Sequence, residues 1–261
     1  MHQLAIRTVV RARPGWGTRS CGTRPMLTAP VSSKAECNAL QEVERVGVGY
    51  DGPMELVNRC LDVIAQAFEH LPSTGMYLTD SEVNGFRFWR TMAEEILSLK
   101  STDMKPLYVL TNANAQQPCA VALAYAWSPD QPYDIPQTDK MIRPEVKAEW
   151  DACGNLWNEL MLDTYDKYGE FITIDFIAVV PELAGRGLGR RLLWAVLRDA
   201  DATGQAVFLA ACGRRNAEWY ARHGFQTLHD YCCTVTGVPG CCELTFMVRT
   251  PVKAKEVAAE V

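Results

Sequence analysis

Gly185, Gly187 and Gly189 alternate with Arg186 and Leu188 and run into Arg190-Arg191. Before them comes an apolar stretch, Phe171–Val180, closed by Pro181. After them Leu188, Leu192, Leu193, Val196 and Leu197 fall on one helical stripe. A buried strand therefore runs into a glycine-rich loop that opens a helix. Glycines lack Cβ atoms, so backbone N–H groups there can approach a bulky anion. The first N–H groups of a helix have no internal acceptor, and the helix dipole favours negative charge beside them. The chemistry that fits is phosphate binding, most naturally a pyrophosphate, with Arg186 and Arg190 adding charge-assisted contacts. The same glycines also suit a tight turn that only caps a helix. A P-loop is excluded, because Gly189 is followed by Arg190 rather than Lys and Ser or Thr. A dinucleotide site is excluded too, because the next strand ends Ala210-Ala211-Cys212 without an acid.

Asp175 is the single charge in the strand Phe171–Val180. A carboxylate there is costly unless it faces a cleft or a partner. Burial would raise its pKa and suit it to accept a proton; a structural hydrogen-bonding role is the alternative. Cys232-Cys233 and Cys241-Cys242 flank the last expected hairpin. Four thiols invite a zinc reading, but neighbours on a strand point to opposite faces and cannot converge on one ion. Packed thiols are expected, with a cross-strand disulfide as the alternative. His2, His70, His223 and His229 show no paired ligand spacing, and no metal is expected.

The elements that must position these groups follow from periodicity. A strand is expected at Gln41–Gly49, broken by Asp51-Gly52-Pro53, and a helix over Glu55–His70 that stops at Leu71-Pro72-Ser73. A second helical stripe runs from Ser81 through Phe86, Trp89, Met92 and Leu97. Lys105–Asn112 and Cys119–Trp127 read as paired strands about a polar turn at Asn114–Gln117. Ser128–Gln137 reads as a loop, and Arg143–Tyr168 as a helix with an irregularity at Gly154. The helix Gly187–Ala202 ends at Gly204. A strand at Gln205–Ala211 and a short helix at Arg215–His223 follow, then a strand pair at Phe225–Val235 and Glu243–Val248. The alternation argues an α/β (α+β) fold with a mixed sheet.

The strand Ile174-Asp175-Phe176-Ile177-Ala178-Val179, then Gly185-Arg186-Gly187-Leu188-Gly189-Arg190, resembles the acetyl-CoA motif of the GCN5-related N-acetyltransferases (GNAT). The run Asn216 to Gly224-Phe225, with Tyr220 inside it, is similar to that family's following motif. The resemblance implies a mostly antiparallel central sheet flanked by helices. It also implies direct transfer of an acetyl group from acetyl-CoA to an amine. By position, Ile177 and Val179 would offer backbone groups to the pantetheine arm, and Ala178 between them would be part of the cofactor site. Gly185, Arg186, Gly187, Leu188, Gly189 and Arg190 would hold the pyrophosphate. Asn216 would contact the cofactor, and Tyr220 would give a proton to the departing thiolate. Ala184 stands where the family usually has Gln or Arg, and the strand before Asn216 lacks the acid often found there. The alternatives are transfer to a hydroxyl, use of a longer acyl-CoA, or a non-catalytic acyl-CoA-binding module.

The whole chain bounds these readings. Its 261 residues are 48% hydrophobic and 22% charged, with a net charge of -5. That suits a globular domain with no general electrostatic pull on nucleic acid or anionic membrane. The expected domain spans 41–250, with a helical insert at about 140–168 and a charged tail at 251–261. The aromatic residues from Trp150 to Tyr168 would pack in the core or, with Phe68 and Phe86–Trp89, wall the acceptor pocket. Ten cysteines in a chain of this length suggest reduced thiols. Residues 1–40 carry Arg7, Arg11, Arg13, Arg19, Arg24 and Lys34 with no acid before Glu36. They read as a disordered leader or a mitochondrial targeting segment, with Met26 as an alternative start. A cytoplasmic or mitochondrial monomer or homodimer is expected, acting on an amine acceptor whose identity the residues do not reveal.

Overall fold

The computed structural model describes residues 42–47, 54–100, 104–112, 117–130 and 134–252. The basic segment 1–40, the Asp51-Gly52-Pro53 break, most of the expected turn after Asn112 and all but two residues of the tail lie outside them.

Strand β1 (Glu44–Val46) precedes three helices: α1 (Met54–Phe68), α2 (Pro72–Tyr77) and α3 (Ser81–Ser98). Helix α1 buries Val57, Cys60, Leu61 and Ile64, the spacing its sequence predicts, and Glu55 in its first turn complements the dipole. Helix α1 ends at Phe68, before the expected stop at Leu71-Pro72-Ser73, but Pro72 also opens the unexpected helix α2, where in the first turn its missing N–H costs nothing. Gly85 lets α3 approach the end of α1, since a Cβ there would lie 2.7 Å from the Glu69 carbonyl oxygen.

Strands β2 (Leu107–Thr111) and β3 (Pro118–Trp127) follow. The expected loop after β3 contains a short helix α4 (Pro136–Asp139), and a 3-10 turn leads into α5 (Lys147–Tyr168). Gly154 does not interrupt α5. Nothing crowds it, so the helix runs through at only the propensity cost of a glycine. Strand β4 (Phe171–Val179), helix α6 (Leu188–Thr203), strand β5 (Val207–Cys212), helix α7 (Arg214–Ala221) and the pair β6 (Gln226–Cys233) and β7 (Cys242–Arg249) complete the order. Gly204 caps α6 in the left-handed conformation.

The seven strands form one sheet in the order β1-β2-β3-β4-β5-β7-β6. Every pair is antiparallel except β4–β5. The fold is therefore mixed α/β with a mostly antiparallel sheet. Helix α6 packs on β2, β3 and β4, while α1 packs on β3 and β4. They lie on opposite faces. Ile177 and Val179 approach Gly189 of α6, whereas Phe176 makes edge contacts with Phe68 of α1 and Trp89 of α3. Covered by helices on both faces, β3 is buried along nearly all of its length, and β2 beside it along the whole of its own.

The insert α5 lies on the aromatic face. Trp150 packs against Tyr77 and Phe88, and Trp157 against Phe208 and Phe246. Phe88 and Trp89 are themselves buried. Trp150 and Trp157, with Phe68 and Phe86, are half-buried and pack against the core. Asp201 and Arg249 tie the end of α6 to β7 through paired contacts of 2.8 and 2.9 Å.

Candidate active site

Pro181 ends β4 and starts a 3-10 turn, Pro181–Leu183, pinned by buried Leu183. The chain then passes through Gly185 (φ +78°) and Gly187 (φ +80°), the latter capping α6. Neither glycine is crowded, so it is the left-handed backbone that demands glycine at both. A Cβ at Gly189 would make only ordinary contacts, 3.7 Å from Val179 and 3.8 Å from Ile177. The first helical bond runs from Arg191 N–H to Gly187 C=O at 3.1 Å. The N–H groups of Leu188, Gly189 and Arg190 precede it and have no acceptor within the helix. Arg186 and Arg190 are exposed beside them. Leu188 faces inward, so its side chain anchors the helix and only its N–H is available to a ligand.

Next to this helix start the sheet opens. β4 and β5 pair only from Ile172↔Val207 to Ile174↔Leu209. Beyond that point β4 stays with β3 as far as Val179↔Ala120, and β5 stays with β7 as far as Cys212↔Leu244. A gap separates the two parallel strands at their C-terminal ends. Val180 N–H donates to Cys119 C=O at 3.0 Å. By the antiparallel alternation Ala178 also turns its backbone groups to β3, while Ile177 and Val179 turn theirs into the gap. Ala178 therefore does not offer its backbone to a ligand there, a correction to its expected place in the site.

Asp175 sits where the gap begins, and a β-bulge puts it there. Leu123 pairs with Phe176 and Ala124 with Ile174, which leaves Asp175 as the extra residue of β4. Its side chain meets Tyr125 and Thr173, which are themselves cross-strand partners. The Tyr125 hydroxyl donates to Oδ2 at 2.7 Å and the Thr173 hydroxyl to Oδ1 at 3.3 Å. Lys100, just past α3, places Nζ 3.4 Å from the centre of the Tyr125 ring. Burial pushes the Asp175 carboxyl up to about 6, against the opposing pull of Tyr125, Lys100 and Thr173. Burial likewise lowers the Lys100 ammonium to about 8, with Asp175 acting in the opposite direction.

Across the gap, β5 leads into α7. The Asn216 amide donates to the Cys212 carbonyl at 2.9 Å and secures the strand–helix corner. Tyr220 is half-buried, with its ring against Trp219 and Phe225. Burial, and then the nearby Cys212 thiol, hold its phenol above the ordinary tyrosine value. The Cys212 thiol is itself pushed up to about 12 by burial and by Cys242. Cys242 is hydrogen-bonded by Cys153 and, at 2.9 Å, by the Tyr77 hydroxyl. Cys233 and Cys242 are register partners, yet every cysteine among the described residues is a free thiol. Of the four hairpin cysteines, only Cys242 is a buried, packed thiol; Cys233 and Cys241 are half-buried and Cys232 is exposed. His223 Nδ1 donates to the Trp219 carbonyl at 2.8 Å, and its ring meets Trp194 edge-on and Trp219 at a tilt.

Lys100, Tyr125 and Thr173 escape a reading of the sequence. They come from the end of α3, from β3 and from β4, and only the bulged register of two strands far apart in sequence unites them with Asp175. The signal that could have found Tyr125 is its place as the polar-tipped residue of the buried run Ala120–Ala126.

Residues 151–227 match the family model for the acetyltransferase (GNAT) domain. Among solved structures, the C-terminal condensation domain of Ebony in complex with beta-alanyl-dopamine has a TM-score of 0.57 at 12% identity, covering 80% of this chain and 99% of that one. Arylalkylamine N-acetyltransferase 2 from Aedes aegypti gives 0.54 at 15% identity, with 81% and 98% covered. The Drosophila melanogaster polyamine N-acetyltransferase, which forms N-acetylagmatine, gives 0.53 at 15% identity, with 80% and 100% covered. At such identities the likeness is one of fold. No curated protein matches the sequence. Among the described residues no helix is long and apolar enough to cross a membrane.

Proposed function

We propose that this chain, which belongs to the GCN5-related N-acetyltransferase superfamily, transfers an acetyl group from acetyl-CoA to a primary amine of a small molecule or peptide. The observation that carries the reading is the opening between β4 and β5 beside the start of α6. It offers strand-like backbone groups at Ile177 and Val179, then free helix N–H groups and two arginines. A ligand with an extended amide arm and a pyrophosphate needs that order of partners. The open space around Gly185 and Gly187 fits such a ligand. Residues Ile177, Val179, Gly185, Arg186, Gly187, Gly189, Arg190 and Asn216 would hold it. Bound acetyl-CoA supplies an activated acyl carbon and a thiol leaving group.

The chain's own groups then handle protons. Asp175 ionises above about 6, so near neutral pH it can take a proton from an incoming ammonium. Its place at the bulge, where the strands part, lets it serve an amine that approaches from the α1–α3 face. Tyr220 keeps its proton throughout the neutral range. Donation to a thiolate is favourable where that thiolate shares the buried setting, because desolvation raises the proton affinity of both.

Calorimetry with acetyl-CoA, then thiol release over a panel of amines, tests the reading. We expect binding, and release that depends on the acceptor. Binding without release on any amine or alcohol would support a non-catalytic module, a reading that Ala184 favours. Absence of binding would end the acetyl-CoA reading altogether.

A further inference from the structure

The chain carries an amine of its own beside the proposed base. Lys100 follows α3 directly, on the same face of the sheet as Tyr125, Thr173 and Asp175. Its Nζ rests on the Tyr125 ring, and the hydroxyl of that ring holds the Asp175 carboxylate. Amine and carboxylate are thus bracketed by a single aromatic side chain, at the point where the β4–β5 gap opens. A substrate amine bound for acetylation likewise needs a proton acceptor within reach.

Resting on the acetyl-CoA reading above, we propose that Lys100 is an internal acceptor and that this protein acetylates itself there. The Lys100 nitrogen forms a bond to the thioester carbonyl carbon. The carbon–sulfur bond breaks, and its electron pair leaves on sulfur. The Nζ proton passes to Asp175, and the sulfur takes a proton from Tyr220 or solvent. The products are acetyl-Lys100 and the free thiol, with no other reactant. Geometry places the amine, and burial activates it. With its ammonium lowered to about 8, the neutral fraction near pH 7 exceeds that of an ordinary lysine by roughly two orders of magnitude. The other described lysines lack that setting. Lys147 is paired with Asp139 and Asp151, which raise its pKa, and Lys167 lies over the Tyr168 ring on the exposed face of α5. Acetylation would remove the cation beside Asp175 and alter what the acceptor side admits.

The test is incubation of the full chain with acetyl-CoA and no added acceptor, followed by peptide mass spectrometry at each lysine. Donor binding is measured in parallel by calorimetry. We expect acetyl-Lys100 to form at least tenfold faster than acetyl-Lys140 or acetyl-Lys167. Asp175→Asn should slow labelling of Lys100 but not of the other two. Should that variant fail to fold, Tyr125→Phe serves, because it removes the hydroxyl bridge and keeps the ring. Donor binding and turnover of external amines, with Lys100 labelled no faster than Lys140, would overturn the proposal and leave the acetyl-CoA reading intact. Equal Lys100 labelling in wild type and variant would show uncatalysed chemistry, and would also overturn it. No donor binding would remove both.

Discussion

The two sides of the β4–β5 gap are built on different plans. The glycine-loop side is contiguous in sequence and works through backbone. Ile177 and Val179 face the gap, Gly185 and Gly187 supply left-handed turns, and α6 presents its first N–H groups. The Asp175 side is assembled from side chains of α3, β3 and β4, and it depends on one bulge. A backbone site tolerates side-chain change but not a change of backbone conformation. A side-chain site is the reverse. The contrast predicts which substitutions separate binding from chemistry.

The largest effect is expected at Gly187. A glutamate there must adopt φ +80°, which costs about 1–2 kcal/mol for an L residue, and it brings bulk and negative charge to the proposed pyrophosphate site. We expect Gly187→Glu to weaken acetyl-CoA binding by roughly 100-fold or more in calorimetry, about 2.7 kcal/mol. Binding within tenfold of wild type would show that the donor does not use this helix start.

Asp175→Asn tests the other plan. Turnover should fall by roughly 100-fold, within the usual range for a positioned base, while donor affinity stays the same. The wild-type rate should rise with pH through about 6, as Asp175 ionises beside Tyr125, Thr173 and Lys100, and the variant should lose that limb. Stability gives an independent readout with a definite sign. A carboxyl whose folded pKa is raised binds its proton more tightly in the native state. Native stability therefore declines as pH rises from the ordinary carboxylate range through about 6, and is level above that. The asparagine variant lacks this decline. At pH 8 it should be more stable than wild type, by on the order of 1–2 kcal/mol in denaturant unfolding. A less stable variant would mean that Asp175 is structural.

The same contrast explains what the sequence disclosed. The loop, the strand before it and α6 were legible because their signals are local: an apolar run, a proline, alternating glycines and a helical stripe. Asp175 stood out as a lone charge, but its partners did not. Lys100, Tyr125 and Thr173 meet it only through the β3–β4 register, and a one-residue bulge has no mark in composition. Ile177 and Val179 turn their backbone groups into the gap, as the resemblance implies, while Ala178 between them turns to β3. Helix α2 was missed because Pro72, read as a stop, also suits a first turn.

Tyr220→Phe probes the far wall of the gap. The ring contacts with Trp219 and Phe225 survive the change, so fold and donor binding should hold. Turnover should fall about tenfold, less than for a strictly required acid, because solvent at the rim can protonate the leaving sulfur. Unchanged thiol release would transfer the proton-donor role to solvent.

The smallest effect concerns the insert α5, which roofs the aromatic face. Gly154 lies in the middle of this helix, exposed, with nothing near the position of a Cβ. A glycine there gives up helix propensity and leaves the unfolded chain freer. Gly154→Ala should therefore stabilise the protein by about 0.5–1 kcal/mol, read as a rise in melting temperature. Donor affinity should not move, because α5 does not form the glycine-loop side. Acceptor turnover is the informative readout. If it is unchanged, α5 acts as a fixed roof and the Asp175 side is as rigid as its hydrogen bonds suggest. If it falls while stability rises, the acceptor side needs an insert that bends at Gly154, and the two sides of the gap differ in mobility as well as in construction.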